Sequence, residues 1–198
     1  EGGKTDWLGY DDGTRKIPAT ENIPFYTEAL VDPDGPAGTR FREILEDFDP
    51  TLAAMEKQSF MDFSLGASVG NQINRDKVSW GYNAAISYKN ETDFYEDAEF
   101  GRYGLFADKS INEMERREYQ IGDYGVNSVL ISGMAGVALK TEKSKFRLNF
   151  LHLQNGESTA GIFDYNKSNQ GTVFAGYQHN LEYSQRSLTN ILLNGKHV

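Results

Sequence analysis

The sequence predicts an all-β protein with long amphipathic strands, preceded by an irregular segment. From residue 60 onward, apolar side chains recur at every second position, which is the period of a β-strand. The aromatic content is biased towards β-sheet, with 11 Tyr and 12 Phe among 198 residues. Four of the five prolines fall between residues 18 and 36, where little regular sheet can form. We therefore divide the chain into residues 1–57 and residues 58–198.

One short helix is predicted within the irregular segment. Phe41, Ile44, Leu45 and Phe48 recur at helical spacing, and Thr39 stands where an N-cap is expected. A helix of about ten residues is marginal on its own, so we expect its apolar side to pack against other parts of the protein.

Two hairpins and a fifth strand follow. Short turns at residues 74–77 and 141–144 alternate with two long loops at about residues 89–126 and 155–180. The predicted strands cover residues 61–70, 78–88, 129–139, 146–150 and, within 181–193, a less regular fifth segment.

The length of these strands favours a transmembrane β-barrel. Runs of about 11 to 13 residues are twice as long as the usual strand of about 5 to 6. Short turns on one rim and long loops on the other are typical of outer-membrane barrels. The same alternation is also typical of a soluble sheet with one solvated face, and periodicity alone leaves both architectures open. In a barrel, the side chains expected to face lipid include Phe63, Leu65, Trp80, Tyr82, Val129 and Ile131.

Composition excludes several classes of function. The net charge of −9 opposes binding to nucleic acid. The absence of cysteine removes thiolate metal sites and cysteine nucleophiles, and the three histidines are too scattered for a local metal motif. Glu43 and Glu46 are explained by the solvated face of the predicted helix. We therefore predict no catalytic site, no metal site and no cofactor. The protein is expected not to be an enzyme.

Several short segments resemble one family of membrane receptors. Residues 7–18 (WLGYDDGTRKIP) resemble the end of the plug domain of TonB-dependent outer-membrane receptors, in the SusC-like branch that carries an amino-terminal carboxypeptidase-regulatory-like domain. The same branch is resembled by residues 87–91 (SYKNE), 95–97 (YED), 101–103 (GRY), 122–127 (GDYGVN) and 149–157 (NFLHLQNGE).

The resemblance implies both a location and an activity. Residues 1–57 would be the end of the plug and its connection to the barrel, and residues 58–198 about five of roughly 22 barrel strands. Five strands cannot close a membrane barrel, so we expect the chain to be a fragment. The parent would lie in the bacterial outer membrane and take up a siderophore, cobalamin, an oligosaccharide or a peptide. The TonB–ExbB–ExbD complex would power uptake, and a surface lipoprotein lid is a further implied partner. The alternative is a soluble all-β module that binds glycans or mediates adhesion.

The predicted ligand-binding residues lie in the two long connections. Aromatic side chains there offer rigid contact area, and carboxylates and an arginine accompany them. The alternative is that these connections are solvated loops that pack on themselves. The sequence does not decide between a ligand-binding surface and such loops. The candidate residues are Phe94, Tyr95, Phe100, Arg102, Tyr103, Phe163 and Tyr165.

Overall fold

The computed structural model describes residues 2–106, 108–169 and 172–197. The chain divides into two compact units. One comprises residues 1–4 with Asp11–Leu52, and the other comprises Thr5–Tyr10 with Ala53–Val198.

The first unit contains two helices, α1 (Tyr26–Val31) and α2 (Pro36–Glu46). They pack on one another through the rings of Tyr26 and Phe41, whose centroids are 5.8 Å apart. The predicted helix is confirmed, but its predicted start is wrong. The helix begins at Pro36 rather than beside Thr39, because proline at the first helical position lacks only an amide hydrogen that would have no partner there. Helix α1 escaped prediction because six residues are too few for a helical period to emerge.

The second unit is a five-stranded antiparallel sheet in which each strand pairs with the next along the chain. The strands are β1 (Phe63–Arg75), β2 (Val78–Leu105), β3 (Met114–Thr141), β4 (Ser144–Asn169) and β5 (Thr172–His197). The prediction of an all-β protein with five strands is therefore confirmed. The predicted short turns are also confirmed, at residues 76–77 and 142–143.

The two predicted long loops are wrong. Most of residues 89–126 and 155–180 belong to strands, because β2 continues to Leu105, β3 begins at Met114 and β4 runs on to Asn169. The described connection between β2 and β3 shrinks to the residues between Leu105 and Met114. Alternation disappears in these extensions because polar side chains occupy both faces of the sheet. Hydrogen bonds between the backbones hold the strands together there, and no alternating apolar pattern in the sequence marks them.

The sheet has two chemically different faces. We call the face that carries Leu65 and Ile86 the front face, and the opposite one the back face. Near the short turns the front face is an exposed apolar band, with Leu65 at 65% exposure, Ile86 at 61% and Leu193 at 72%. Strand pairing places these side chains in rows across all five strands. The apolar band comprises Leu65, Val69, Ile73, Trp80, Tyr82, Ile86, Val137, Leu139, Phe146, Leu148, Phe150, Ile191 and Leu193.

One predicted lipid-facing residue is buried. Val129 lies on the front face but is only 2% exposed. It pairs with Gly156, and the segment Thr5–Tyr10 packs on β3 and β4 at this place. The expectation that Val129 faces lipid is therefore wrong. Alternation correctly assigned its side chain to the front face but carried no information about a segment that covers that face.

No helix in the described parts of the chain is long and apolar enough to cross a bilayer.

Candidate functional site

A polar notch interrupts the front face where the segment Thr5–Tyr10 docks. Residues Asp6–Leu8 form a 3-10 turn, and the amide of Gly9 donates to the carbonyl of Asp6 to close it. Gly9 adopts a left-handed conformation with φ of 73°, which glycine reaches without a steric penalty. The hydroxyl of Thr5 donates to the carbonyl of Tyr10 at 2.7 Å and ties the ends of the segment together.

Gln154 anchors this segment to the sheet. Its side chain is 1% exposed, and its Nε2 donates to the carbonyl of Gly9. Its Oε1 accepts from the hydroxyl of Ser187 on β5. Both ends of the buried amide are thus hydrogen-bonded, as the burial of a polar group requires.

His152 provides a second attachment, two residues before Gln154 on the same face. Its Nε2 lies 3.3 Å from the hydroxyl of Tyr10, and its Nδ1 lies 2.8 Å from the hydroxyl of Thr189. A hydroxyl can donate or accept, so both contacts survive a change of imidazole tautomer. The scattered spacing of the three histidines does not predict this role of His152.

Two glycines make the docking possible. A Cβ added to Gly156 would lie 2.5 Å from the Cα of Gly9, and one added to Gly9 would lie 3.0 Å from the backbone nitrogen of Gly156. Real Cβ atoms do not approach so closely. The close approach of the two backbones therefore requires glycine at both positions, Gly9 in the docked segment and Gly156 on β4.

The predicted ligand-binding residues separate into two sets. Five of the seven share the back face, on the strand extensions far from the short turns. Phe94 instead pairs with Gly125 on the front face, and the ring of Tyr103 packs over Gly101, beside the second register shift between β2 and β3. The five residues on the back face are Tyr95, Phe100, Arg102, Phe163 and Tyr165.

An aromatic cluster forms one half of this back-face site. Tyr95 stacks on Tyr124 with ring centroids 4.6 Å apart and planes 14° from parallel. Phe163 meets Phe100 edge to face at 5.7 Å, and Tyr124 lies within 6.3 Å of Phe163. Phe163 is only 4% exposed, whereas Tyr95 and Phe100 remain partly open to solvent. Phe163 thus supports the cluster from within, and the exposed rings form its surface.

Glycine makes room for the cluster. A Cβ on Gly161 would lie 2.7 Å from the ring of Phe163 and 2.9 Å from the side chain of Tyr124. A Cβ on Gly122 would meet the backbone at Phe163 and the carbonyl of Ile162, at 2.7 and 2.1 Å. The rings therefore fold over positions that hold no side chain, which explains how Phe163 is buried on the face of an otherwise open sheet.

A charged cluster forms the other half of the back-face site. Glu118 accepts from Lys167 at 2.6 Å, lies 3.4 Å from Arg102 and accepts from the hydroxyl of Tyr165 at 3.3 Å. The hydrogen bond from Lys167 is the main cause that lowers the pKa of Glu118, with smaller contributions from both cations. The same bond raises the pKa of Lys167. Both groups are therefore charged at neutral pH.

A small cleft joins the aromatic and charged halves. Its volume is about 350 Å³, and side-chain amides line it between Phe100 and Tyr165. The back-face site thus offers ring faces, amide groups and one arginine to a ligand. The lining residues are Phe100, Gly101, Arg102, Glu118, Tyr119, Gln120, Tyr165 and Gln178.

A larger cleft lies on the front face, between residues 54–59 and the sheet. Its volume is about 1030 Å³, and Phe94, Asp123 and Asp164 are among the residues that line it. Asp97, at a bulge in β2, has a positive φ of 51°, and its amide donates to Asp123 at 2.8 Å. This cleft could not be predicted, because residues 54–59 show no regular pattern.

No group of three or more histidine, aspartate or glutamate side chains among the described residues is arranged to hold a metal ion. No protein-family model matches the sequence, and no curated protein matches it either. The function of the chain is therefore inferred from its residues and geometry.

Proposed function

We propose that this chain is part of a TonB-dependent outer-membrane receptor, comprising the end of the plug and the first barrel strands, and that its parent takes up a scarce solute. The observation that carries this proposal is the exposed apolar band on the front face. A contiguous apolar surface of this extent is rare on soluble monomers and needs a cover. Lipid is the cover that matches its dimensions.

The height of the apolar band fits a bilayer. On β2 the apolar residues of the front face run from Val78 to Tyr88, and a strand of that length spans about 34 Å at roughly 3.4 Å per residue. Tilted by about 45°, it covers roughly 25 Å, the height of the apolar belt of a membrane barrel. The strands then continue beyond the belt, as they do where a barrel extends above the membrane.

On β1 and β2 the back face behind the apolar band carries small and polar residues, which suits the lumen of a large barrel, whereas β5 exposes Leu188 and Leu192 on the same face. The hydroxyls of Ser87 and Ser132 lie 2.6 Å apart across two strands. A Cβ on Gly136 would clash with the side-chain oxygens of Asn83 and Asn149, at 2.2 and 2.9 Å. Gly136 thus leaves room for the two side-chain amides on either side of β3. The proposal assigns this face to a lumen filled by plug and water.

In the same frame, the back-face site would face the external vestibule. It lies on the inner side of the strand extensions, above the apolar belt. The solute would contact the exposed rings of Tyr95 and Phe100 and the cleft beside Arg102. Energy coupling through the TonB–ExbB–ExbD complex and a lipoprotein lid are expectations that rest on the family resemblance.

Arginine substitutions test the lipid-facing assignment. Leu65→Arg and Ile86→Arg place a charge on the front face and should each cost about 2 to 4 kcal/mol in a membrane. Ser68→Arg is the matched control, because it lies on the back face of β1, one residue beyond the row that Ala67 forms with Ile86. We expect the first two variants to lose heat-modifiable, membrane-assembled protein while the control keeps it. Equal assembly of all three would refute the lipid-facing assignment.

A soluble all-β binding module is the second candidate, and one observation favours it. The segment Thr5–Tyr10 docks on the front face, on the same side as the apolar band. A plug inside a barrel would instead contact the back face. If the front face is covered by protein, a charge at Leu65 should destabilise a protein that remains soluble, and fractionation of the variants separates the two candidates.

A further inference from the structure

Residues 54–59 form a strap over the larger front-face cleft. All residues that line this cleft belong to the second unit, and the strap supplies one wall of it. The cleft volume of about 1030 Å³ is enough for a sizeable organic ligand. Movement of the strap would therefore remove one wall of the cleft.

A single histidine closes one end of the strap. The backbone amide of Ala54 donates to Nδ1 of His179 on β5, at 3.2 Å, and Ala54 is buried. An amide can only donate, so Nδ1 must offer its lone pair and the ring must carry its proton on Nε2. A protonated imidazole has hydrogens on both nitrogens and cannot accept this bond.

The strap has few other attachments. At its far end, Asp62 accepts from the amide of Thr92 at 2.8 Å, and Phe60 packs edge to face on Phe63 at 6.0 Å. Between Ala54 and Phe60, no hydrogen bond or ion pair is found within the described part of the chain. Loss of the bond to His179 would leave the strap held at one end only.

We propose that His179 is a pH-sensitive latch, and that its protonation opens the strap and exposes the front-face cleft. The charged and titratable groups that line the cleft are Glu56 and Lys57 on the strap, Asp97 on β2, Asp123 and Tyr124 on β3, Asp164 on β4 and Tyr177 on β5. Histidine is the side chain whose ordinary charge change falls between about pH 5 and pH 8. The strap then opens as the imidazole of His179 becomes protonated. This inference is independent of whether lipid covers the apolar band.

His152 shows by contrast why His179 is sensitive. Both ring nitrogens of His152 face hydroxyls, of Tyr10 and Thr189. Those hydroxyls can turn and accept when the ring is protonated. His179 faces a backbone amide, which can only donate and cannot turn to accept a hydrogen bond. The same acidification should therefore open the strap and leave the docked segment Thr5–Tyr10 in place.

Amide hydrogen exchange on the full chain tests the proposal. Protection of the Ala54 amide, the strap amide that is hydrogen-bonded among the described residues, is compared at about pH 7.5 and about pH 5.5, corrected for intrinsic exchange with an unstructured peptide. We expect acidification to reduce protection about fivefold, the equivalent of one net hydrogen bond. Protection of residues 5–10 should not change, which serves as the internal control.

Two substitutions separate the latch from general loss of structure. His179→Asn can present Oδ1 to the Ala54 amide and does not titrate, so the strap should stay closed at both pH values. His179→Phe removes the acceptor, so the strap should be open at both. The proposal is overturned if the unsubstituted chain shows no pH dependence, if His179→Asn keeps that dependence, or if His179→Phe protects the strap fully. Retained pairing of β4 with β5, measured in the same exchange data, confirms that each variant folds.

Discussion

The side-chain amide of Gln154 donates to the carbonyl of Gly9, joining residues 145 positions apart in the sequence. This bond and the one from Ser187 satisfy a side chain with almost no solvent exposure. Gln154→Leu would leave two polar groups without partners and should cost about 1 to 3 kcal/mol. We expect faster proteolysis near Gly9 in this variant. Gln72→Leu, an exposed position on β1, should leave proteolysis unchanged.

Gly156→Ala should release the docked segment by steric conflict alone. The new methyl group would stand 2.5 Å from the Cα of Gly9, which forces the segment away at a cost of roughly 1 to 3 kcal/mol. Gly133→Ala on the front face of β3 is the control, because a Cβ there meets nothing within 4 Å. Hydrogen exchange in residues 5–10 should increase only in the first variant. If both substitutions increased exchange equally, the cause would be the intrinsic strand propensity of alanine and not the contact with Gly9.

Phe163→Ala should be the most damaging substitution in the back-face site. The ring is 4% exposed and contacts Phe100 and Tyr124, so its removal should cost about 3 to 5 kcal/mol. Tyr177→Ala removes an aromatic ring that is 78% exposed and should cost far less. Denaturant unfolding of the two variants checks this order, and a larger loss for Tyr177→Ala would contradict it.

The Glu118–Lys167 pair should contribute to stability between two pH limits. Because the pKa of Glu118 is lowered in the folded protein, its contribution is present above its ordinary pKa and is lost as the pH falls through the lowered value. The pKa of Lys167 is raised, so its share is lost only as the pH rises through that higher value. Glu118→Gln should therefore differ from the unsubstituted chain at neutral pH and converge with it in strong acid. Unfolding curves across the acid range measure this, and a constant difference would exclude the pair as its cause.

Much of the sheet could be predicted because one face of each strand is apolar near the short turns. Leu65, Trp80 and Val137 alternate with small residues, so strand identity and facing follow directly. The same reasoning failed beyond Lys89. There β2 carries polar side chains on both faces, and the strand is held by backbone pairing with β3, which leaves no trace in local periodicity.

The back-face site could be predicted in composition but not in arrangement. The sequence places Tyr95, Phe100 and Phe163 in the two predicted long loops. Strand pairing brings these residues together. Phe94 is predicted to share that surface, but alternation within β2 places its side chain on the front face. The notch at Gln154 could not be predicted, because its partner Gly9 lies far away in sequence and no local pattern marks either residue.

Fractionation of the native parent protein tests the central claim most directly. Membranes are washed with carbonate, and gel mobility is compared with and without boiling in detergent. The proposed receptor should remain in the outer membrane, and its mobility should shift on heating. A parent that is folded and soluble without detergent would contradict the receptor, and the apolar band would then belong to a soluble binding module.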